Sequence, residues 1–295
     1  MRAIVTGGAG FIGSHVVDAL LARGDDVLVL DDLSRGKREN VPDAVVEVAD
    51  IREPLADHFE GAEVCFHLAA QVDVRVAVER PEHDAQVNVL GTVSVLEAAR
   101  RHGTQVVFAS SGGAIYGEAD GPAREDAPRE PLSPYGVSKL AGEEYLAAYN
   151  RLYDAGHVAL RYANVYGPRQ DPHGEAGVVA IFLGRLKAGE PPRIFGDGSQ
   201  TRDYVYAADV AQATLAAAGK RGVFNVGTGI ETSVRELYEL CRGVAGSQLE
   251  AEHVDARLGE LERSVLDASR AERELGWRPE VDLEEGLRLT WESLA

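Results

Sequence analysis

The strongest constraint on the fold is a glycine-rich turn between an apolar stretch and an amphipathic one. Residues 2–6 form an apolar run typical of a buried strand, and Gly8, Gly10 and Gly13 follow with G-x-G-x-x-G spacing. The residues after this turn carry apolar side chains at helical intervals. Glycine lets such a backbone reach a pyrophosphate, and the helix N-terminus offers unpaired N–H groups to that anion. The sequence therefore predicts a strand, turn and helix that bind a dinucleotide.

An acidic residue ends the next predicted strand. Residues 27–30 are apolar and lead into Asp31, at about the distance where this kind of turn places a ligand for the ribose. A carboxylate there repels a 2′-phosphate, which favours NAD over NADP. Arg35, Lys37 and Arg38 follow closely and weaken this preference, unless they only form a solvated loop.

Strands and helices alternate through the first half of the chain. Further strands are predicted at residues 45–48, 63–67, 106–109 and 157–162, with helical patterns between them. This alternation indicates an α/β fold, a Rossmann-type doubly wound parallel sheet. We expect a dinucleotide-binding domain over residues 1–162, with its sheet completed by residues about 205–230, and a smaller C-terminal lobe over 163–295.

Tyr135 precedes Lys139 by four residues near the start of a predicted helix. Positions i and i+4 share one helix face, so the phenol and the ammonium can serve one site. A nearby ammonium favours the phenolate and lowers the pKa of the phenol. The spacing thus predicts a proton-transfer site, although a solvated pair has the same spacing.

Several polar residues occupy positions that favour ligand contacts. Ser110 and Ser111 end a predicted strand, where open α/β sheets bind ligands. Asp50 is expected either to bind the adenine or to cap a helix. Asn88, within a predicted helix over 81–102, is expected to hold a neighbouring loop through hydrogen bonds.

Composition limits the partners. The net charge is −18, so nucleic acid and anionic membranes are repelled, and an anionic ligand needs locally placed arginines. Arginines stand in predicted loops at positions 169, 193, 202 and 257. No apolar run is long enough to span a bilayer, and no cluster has metal-ligand spacing. Two cysteines are expected as buried thiols in a reducing cytoplasm.

Taken together, these residues resemble the extended short-chain dehydrogenase/reductases, and within them the UDP-glucose 4-epimerases. The resemblance rests on motifs that run in the family's order along nearly the whole chain. These motifs are Thr6–Gly13, Leu30–Leu33, Asn88, Ser110–Ser111, Tyr135–Lys139, Leu160–Asn164, Arg202–Tyr204 and Asn225–Gly227.

The resemblance implies tightly bound NAD and a UDP-sugar substrate. Tyr135 would act as the base, Lys139 would hold the nicotinamide ribose, and Ser111, or failing that Ser110, would bind the sugar hydroxyl. The cofactor residues it implies are Gly7, Gly10, Phe11, Ile12, Gly13, Asp31, Asp32, Asp50, Ile51, Leu68, Ala69, Ala70, Gln71, Asn88, Ser110, Tyr135, Lys139 and Tyr162. The substrate residues it implies are Ser111, Tyr135, Asn164, Val179, Arg193, Phe195, Arg202, Arg257 and Ser264.

The residues after Ser111 favour epimerisation. Related dehydratases carry an acid there to eliminate water, whereas this chain has Gly112, Gly113 and Ala114. We therefore expect interconversion of UDP-glucose and UDP-galactose through a 4-keto sugar. Ser264 stands where some family members have a bulky tyrosine, which implies acceptance of N-acetylated sugars as well.

Two other functions remain open. One is an epimerase for another nucleotide sugar, such as UDP-glucuronic acid, and the other is a non-catalytic NAD(H)-sensing protein. The resemblance also implies a homodimer formed through the helices that hold Asn88 and Tyr135. Tyr149 and Leu152 would support this contact, although core packing explains them equally well.

Overall fold

A seven-stranded parallel sheet forms the centre of the molecule and confirms the predicted fold class. The computed structural model describes residues 1–172, 177–256 and 261–294. The strands of this sheet are β1 (Arg2–Thr6), β2 (Asp26–Asp31), β3 (Val45–Val48), β4 (Val64–His67), β5 (Gln105–Ser111), β6 (Val158–Tyr162) and β10 (Gly222–Val226). Their order is β3-β2-β1-β4-β5-β6-β10, and every neighbouring pair is parallel. The order reverses between β1 and β4, so a crevice opens at their carboxyl ends, where such sheets bind ligands.

Helices cover both faces of the sheet. The helices in this part of the chain are α1 (Phe11–Ala22), α2 (Val74–Glu79), α3 (Pro81–Ala85), α4 (Gly91–His102), α5 (Gly112–Ile115), α6 (Pro134–Tyr153) and α8 (Ala207–Ala216). Apolar residues of α1 and α8 pack on one face, and those of α4 and α6 pack on the other. Since parallel strands are buried on both faces, this explains their near-continuous apolar sequences.

The predicted helix over 81–102 is present with one irregularity. Gln86–Leu90 forms a π-helical turn between α3 and α4. Such turns occur mostly inside α-helices and often at functional sites. This turn carries Asn88 and presents its side chain to the loop after β4.

The C-terminal residues form a smaller lobe beside the carboxyl edge of the sheet. Its elements are β7 (Asn164–Tyr166), α7 (Val178–Lys187), β8 (Arg193–Phe195), β9 (Thr201–Tyr206), β11 (Glu231–Ser233), α9 (Val234–Val244), β12 (Glu252–Val254), β13 (Arg263–Ser264) and α11 (Leu283–Ser293). The helix α10 (Ser269–Leu275) packs instead on the central sheet, against β10 and α8. β9 pairs with β7, β11 and β13, whereas β8 pairs with β12. A separate apolar cluster fills this lobe, and the division at residue 162 stays a prediction.

No helix in the described ranges combines the length and apolar character that a membrane-spanning segment needs.

Candidate active site

The glycine-rich turn forms a backbone cradle at the start of α1. Gly7 has φ +69°, and a Cβ on it would lie 2.6 Å from the backbone nitrogen of Ala69. A Cβ on Gly13 would collide with the carbonyl oxygen of Gly7. No side chain caps the N-terminus of α1, so its N–H groups can meet an anion. The cradle thus fits a pyrophosphate, and only glycine leaves that space open.

Asp31 closes the cradle from the neighbouring strand. It is 6% exposed, and its carboxylate accepts hydrogen bonds from the backbone nitrogens of Ala9 (3.0 Å) and Leu33 (2.9 Å). Burial raises the pKa of this carboxyl, while the two backbone hydrogen bonds act in the opposite direction. Asp31 therefore fixes the turn against β2 besides lying at the predicted ribose position.

The neighbouring residues at this edge have local partners. Asp32 accepts hydrogen bonds from the backbone and side chain of Ser34. Asp50 forms an ion pair with Arg52 at 2.5 Å and accepts the backbone N–H of the same residue. The Asp50 side chain therefore stabilises a turn and does not cap a helix. Ile51 is buried beside Gly91, where a Cβ would lie 2.6 Å from its side chain.

The loop after β4 contains small residues, and hydrogen bonds hold it along the crevice. The segment Leu68–Gln71 lies half-buried, with Ala69 against Gly7. Asn88 accepts a hydrogen bond from the backbone nitrogen of Gln71 at 2.8 Å and donates one to its carbonyl oxygen at 2.8 Å. The expectation that Asn88 holds a neighbouring loop is confirmed.

Tyr135, Lys139 and Ser111 come together at the carboxyl end of β5. Ser133 caps α6 by accepting the backbone N–H of Gly136, and Pro134 fits the first helical turn, so Tyr135 lies at the start of the helix. The Ser111 hydroxyl faces the Tyr135 phenol and can donate to its ionised form. The Lys139 ammonium lies 5.8 Å from the centre of the Tyr135 ring and donates to the carbonyl oxygen of Ala109 at 2.9 Å.

The predicted lowering of the Tyr135 pKa is wrong for this structure. Burial raises the pKa of Tyr135 to about 12, while the Ser111 hydrogen bond favours the phenolate. Burial also lowers the pKa of Lys139 to about 8. The helical spacing does place both groups on one face, but Lys139 is directed to Ala109, and desolvation decides the state of the phenol.

The two serines point in different directions because successive side chains of a strand alternate. Ser110 is buried and donates to the Glu143 carboxylate at 2.5 Å. Glu143 is in turn paired with the buried guanidinium of Arg161 at 2.7 Å. Ser111 is therefore the serine that faces Tyr135.

Three further residues meet beside Ser111. A Cβ on Gly113 would lie 3.5 Å from the Asn164 amide oxygen and 3.8 Å from the Ser264 hydroxyl. Asn164 begins β7, and Ser264 ends β13, which pairs with β9 at Arg202. The structure thus brings Asn164 and Ser264 to the segment that directly follows Ser111.

The remaining predicted substrate residues are more dispersed. Arg193 is exposed and pairs with Glu252 at 2.9 Å, while Phe195 lies half-buried two residues further along β8. The Arg202 guanidinium donates to the carbonyl oxygen of Thr201 at 2.8 Å. The Val179 side chain is buried in the core of the lobe. Arg257 lies outside the described residues.

Two residues that were expected to contact a ligand, Tyr162 and Arg169, bind other parts of the protein instead. The Tyr162 hydroxyl forms a 2.7 Å hydrogen bond with the Thr214 hydroxyl inside the core. Arg169 binds Asp18 of α1 and donates to the carbonyl oxygen of Asn40. Arg169 therefore does not join the loop arginines in a common diphosphate receptor.

Sequence reasoning missed Glu143 and two further buried carboxylates near this site. Asp84 is fully buried on α3 beside Asn88, and Asp203 on β9 accepts hydrogen bonds from Thr228, Gly229 and Leu266. The apolar spacing of helix 81–102 could have placed Asp84 on the same face as Asn88, four residues later. Within the described ranges, no three His, Cys, Asp or Glu side chains are grouped to hold a metal ion.

Known proteins resemble this chain over nearly its whole length. The UDP-glucose 4-epimerase of Mycolicibacterium smegmatis is 51% identical over 309 residues, which covers 99% of this chain and 98% of the relative. A crystal structure of UDP-glucose 4-epimerase with UDP-glucose from Thermotoga maritima is 46% identical, with a TM-score of 0.97, covering 100% of this chain and 98% of the other.

The Thermus thermophilus UDP-glucose 4-epimerase in complex with NAD is 48% identical, with a TM-score of 0.95, covering 99% and 98% of the two chains. The model of the NAD dependent epimerase/dehydratase family matches residues 3–227. Together with the cradle and the Ser111, Tyr135 and Lys139 arrangement, these matches show that the chain belongs to the NAD dependent epimerase/dehydratase family.

Proposed function

We propose that this protein is an NAD-dependent 4-epimerase of UDP-sugars that interconverts UDP-glucose and UDP-galactose. The observation that carries this proposal is the meeting of Ser111, Tyr135 and Lys139 at the end of β5, in the same sheet whose strand β1 leads into the glycine cradle. Identities near 50% with proteins named UDP-glucose 4-epimerase support the choice of substrate.

The reaction needs one base that serves both directions. NAD⁺, when bound, supplies the hydride acceptor for the sugar C4 and a positive charge. Tyr135 would take the proton of the C4 hydroxyl when the sugar is oxidised to the 4-keto form. It would return that proton to the C4 oxygen when the ketone is reduced on its other face, so the reaction would cause no net oxidation.

The other residues prepare this proton transfer. Ser111 would hydrogen-bond the same hydroxyl and keep it beside the phenol. The Lys139 ammonium, 4% exposed, supplies a positive charge next to the developing phenolate. Glycines at positions 112 and 113 offer no acid to protonate a leaving hydroxyl, which favours epimerisation over dehydration.

We further propose that the site accepts the N-acetylated pair. Ser264 and Gly113 face each other across the opening beside Asn164, and both side chains are small. An N-acetyl group needs more room than a hydroxyl. Comparing UDP-galactose with UDP-N-acetylgalactosamine as substrates tests this, and Ser264→Tyr should reduce activity on the N-acetylated sugar selectively.

The decisive test of function combines release of the cofactor with an assay. Denaturing the purified protein should release NAD, and the wild type should interconvert UDP-glucose and UDP-galactose. Tyr135→Phe should retain UDP-sugar binding and lower kcat by about 10²–10⁴-fold. Tyr153→Phe is the matched control, because that phenol is 52% exposed at the far end of the same helix.

Each competing function has its own outcome. Turnover of UDP-glucuronic acid but not of UDP-glucose would favour the other epimerase. A wild type that binds NAD and is inert on every UDP-sugar would favour the NAD(H)-sensing protein.

We also propose a cytoplasmic homodimer. Apolar side chains are exposed along one face of α6, among them Val137, Tyr145 and Leu152, the last 71% exposed. Tyr149 is instead buried, with its hydroxyl donating to Glu97 at 2.6 Å, so it supports the core. Cys65 and Cys241 are buried free thiols, which fits a reducing compartment.

A further inference from the structure

A buried carboxylate lies directly behind the catalytic helix. Asp84 has no exposed surface and accepts three hydrogen bonds, from the Ser138 hydroxyl at 2.5 Å, the Asn88 amide at 2.9 Å and the Gln71 amide at 3.0 Å. All three donors are neutral. Because a buried carboxylate is costly unless an opposite charge compensates it, Asp84 needs a buried cation whose charge reaches it.

That cation is Lys139. Its ammonium is 4% exposed, and its hydrogen bond goes to a neutral carbonyl oxygen, that of Ala109. Ser138, which binds Asp84, is its neighbour in the chain and stands three residues after Tyr135. The negative charge of Asp84 raises the pKa of Lys139, against burial, which lowers it to about 8.

The other charged groups around α6 leave this pairing intact. His67 on β4 is buried between the hydroxyls of Thr6 and Thr92, and burial lowers its pKa to about 3, so it is neutral. Glu143 on α6 is neutralised by Arg161 on β6.

Charged groups on α4 and α2 lie farther along α6 or at the surface. Glu97 on α4 pairs with Arg100 and Tyr149 at the far end of α6. The charged residues of α2, Arg75 and Glu79, are exposed.

We propose that Asp84 is the counter-charge that keeps Lys139 protonated, and that it positions α6 through Ser138. Asp84 is thus a positioning residue, because it acts through Lys139 and Ser138, while its own negative charge raises the pKa of Tyr135. This inference deepens the proposed function and rests on it for the role of Lys139. Loss of the Asp84 charge should leave more of Lys139 neutral at pH 7–8, so that less positive charge remains beside Tyr135.

Asp84→Asn removes the charge and preserves the hydrogen bonds. The amide oxygen of the new side chain can accept from Asn88 and Gln71, and its NH₂ can donate to the Ser138 hydroxyl. Asp209→Asn is the matched control, because Asp209 on α8 is a buried carboxylate that accepts backbone hydrogen bonds from Glu280 and Val281, on the opposite face of the sheet from α6.

The titration of Lys139 can be read directly, because the chain has only four lysines. The full chain, reconstituted with NAD⁺, is labelled with ¹³C,¹⁵N-lysine, and the Lys139 signal is assigned by its loss in Lys139→Arg. Asp84→Asn should lower the pKa of Lys139 by about one pH unit or more, whereas Asp209→Asn should leave it unchanged. In the same variant, the basic limb of the kcat profile should move to lower pH.

Ser138→Ala separates the two parts of the proposal. It keeps the carboxylate and removes its hydrogen bond to α6, so kcat should fall severalfold while the basic limb of its pH profile stays in place.

An unchanged Lys139 titration in folded Asp84→Asn would overturn the proposal. If that variant does not fold, the wild type decides, since a Lys139 amine already neutral at pH 7 would also overturn it. The NMR titration needs no turnover, so its result stands even if the protein acts on another sugar nucleotide.

Discussion

At the scale of single residues, the site depends on which way neighbouring side chains point. Ser110 and Ser111 are adjacent on β5, yet one is bonded to buried Glu143 and the other to Tyr135. Ser111→Ala should lower kcat by about 10²-fold with little change in stability, because the hydroxyl acts on the reacting group.

Ser110→Ala should instead lower the stability and leave turnover nearly unchanged. It removes a buried partner of Glu143, so the free energy of unfolding should fall by about 1–3 kcal/mol while kcat stays within a few-fold of wild type. Denaturant titration and initial rates measure the two effects. The assignment of Ser111 fails if Ser110→Ala is the variant that loses turnover.

The residues of this site were predictable where a chemical type meets a recognisable spacing. The four-residue spacing predicts that Tyr135 and Lys139 share a helix face. A polar side chain on an apolar helix face predicts that Asn88 bonds a neighbouring loop. The pKa of Tyr135 was not predictable, because it depends on burial, which spacing does not report. Asp84 went unrecognised for the same reason, since an acid looks like a surface residue until its neighbours are known.

At the scale of elements, the crevice is made from the ends of strands and the start of one helix. The glycine turn joins β1 to α1 and contacts the loop after β4, so a methyl group there disturbs two elements. Gly13→Ala should abolish NAD retention and destabilise the protein, because the new Cβ collides with the Gly7 carbonyl oxygen.

Gly243→Ala is the control for that substitution. Gly243 lies within α9, and a Cβ there meets no atom within 4 Å. Alanine should therefore stabilise the protein by about 0.5–1 kcal/mol and leave NAD content unchanged. NAD released on denaturation and the unfolding midpoint measure both variants, and full NAD content in Gly13→Ala would contradict the role of the cradle.

The order of elements was readable because strands of a doubly wound sheet alternate with helices of distinct periodicity. The exact ends of the strands were less predictable, because β5 continues past the predicted residue 109 to Ser111. The π-helical turn at Gln86–Leu90 left no mark in the apolar spacing. The pairing of β9 with three other strands depends on contacts distant in sequence, which no local pattern encodes.

At the scale of the whole molecule, acid stability should depend on buried histidine. His157 is 1% exposed, accepts the backbone N–H of Val106, and has its pKa lowered by burial to about 4. The unfolded chain binds this proton near pH 6.5, whereas the folded chain binds it only near pH 4. The free energy of unfolding should therefore fall as pH drops from 6.5 towards 4, by at most about 3 kcal/mol from this residue.

His157→Gln should reduce that pH dependence, since glutamine has no proton to gain in this range and its amide oxygen can still accept from Val106. Part of the slope should remain, because burial also lowers the pKa of His67 to about 3. The exposed His102 provides the control substitution, His102→Gln, which should keep the wild-type slope. Urea unfolding between pH 4 and 7 measures the slopes. Equal slopes in all three proteins would assign the acid sensitivity to other groups.

Association is the last property that belongs to the whole molecule. Val137, Ala141, Tyr145, Ala148 and Leu152 follow helical spacing along one face of α6, opposite the side that packs on the sheet. A continuous apolar face of this kind on a strongly acidic chain is expected to be covered, and a second copy related by a two-fold axis would place the same face against itself.

Leu152→Glu tests that arrangement, because the leucine is 71% exposed and its replacement cannot disturb the core. A carboxylate repeated across a two-fold contact should convert the dimer to a monomer, measured by light scattering after gel filtration. Leu132→Glu is the control, since Leu132 is 65% exposed but lies in the loop before α6. A wild type that is monomeric at micromolar concentration, or a Leu152→Glu variant that stays dimeric, would exclude this face as the contact.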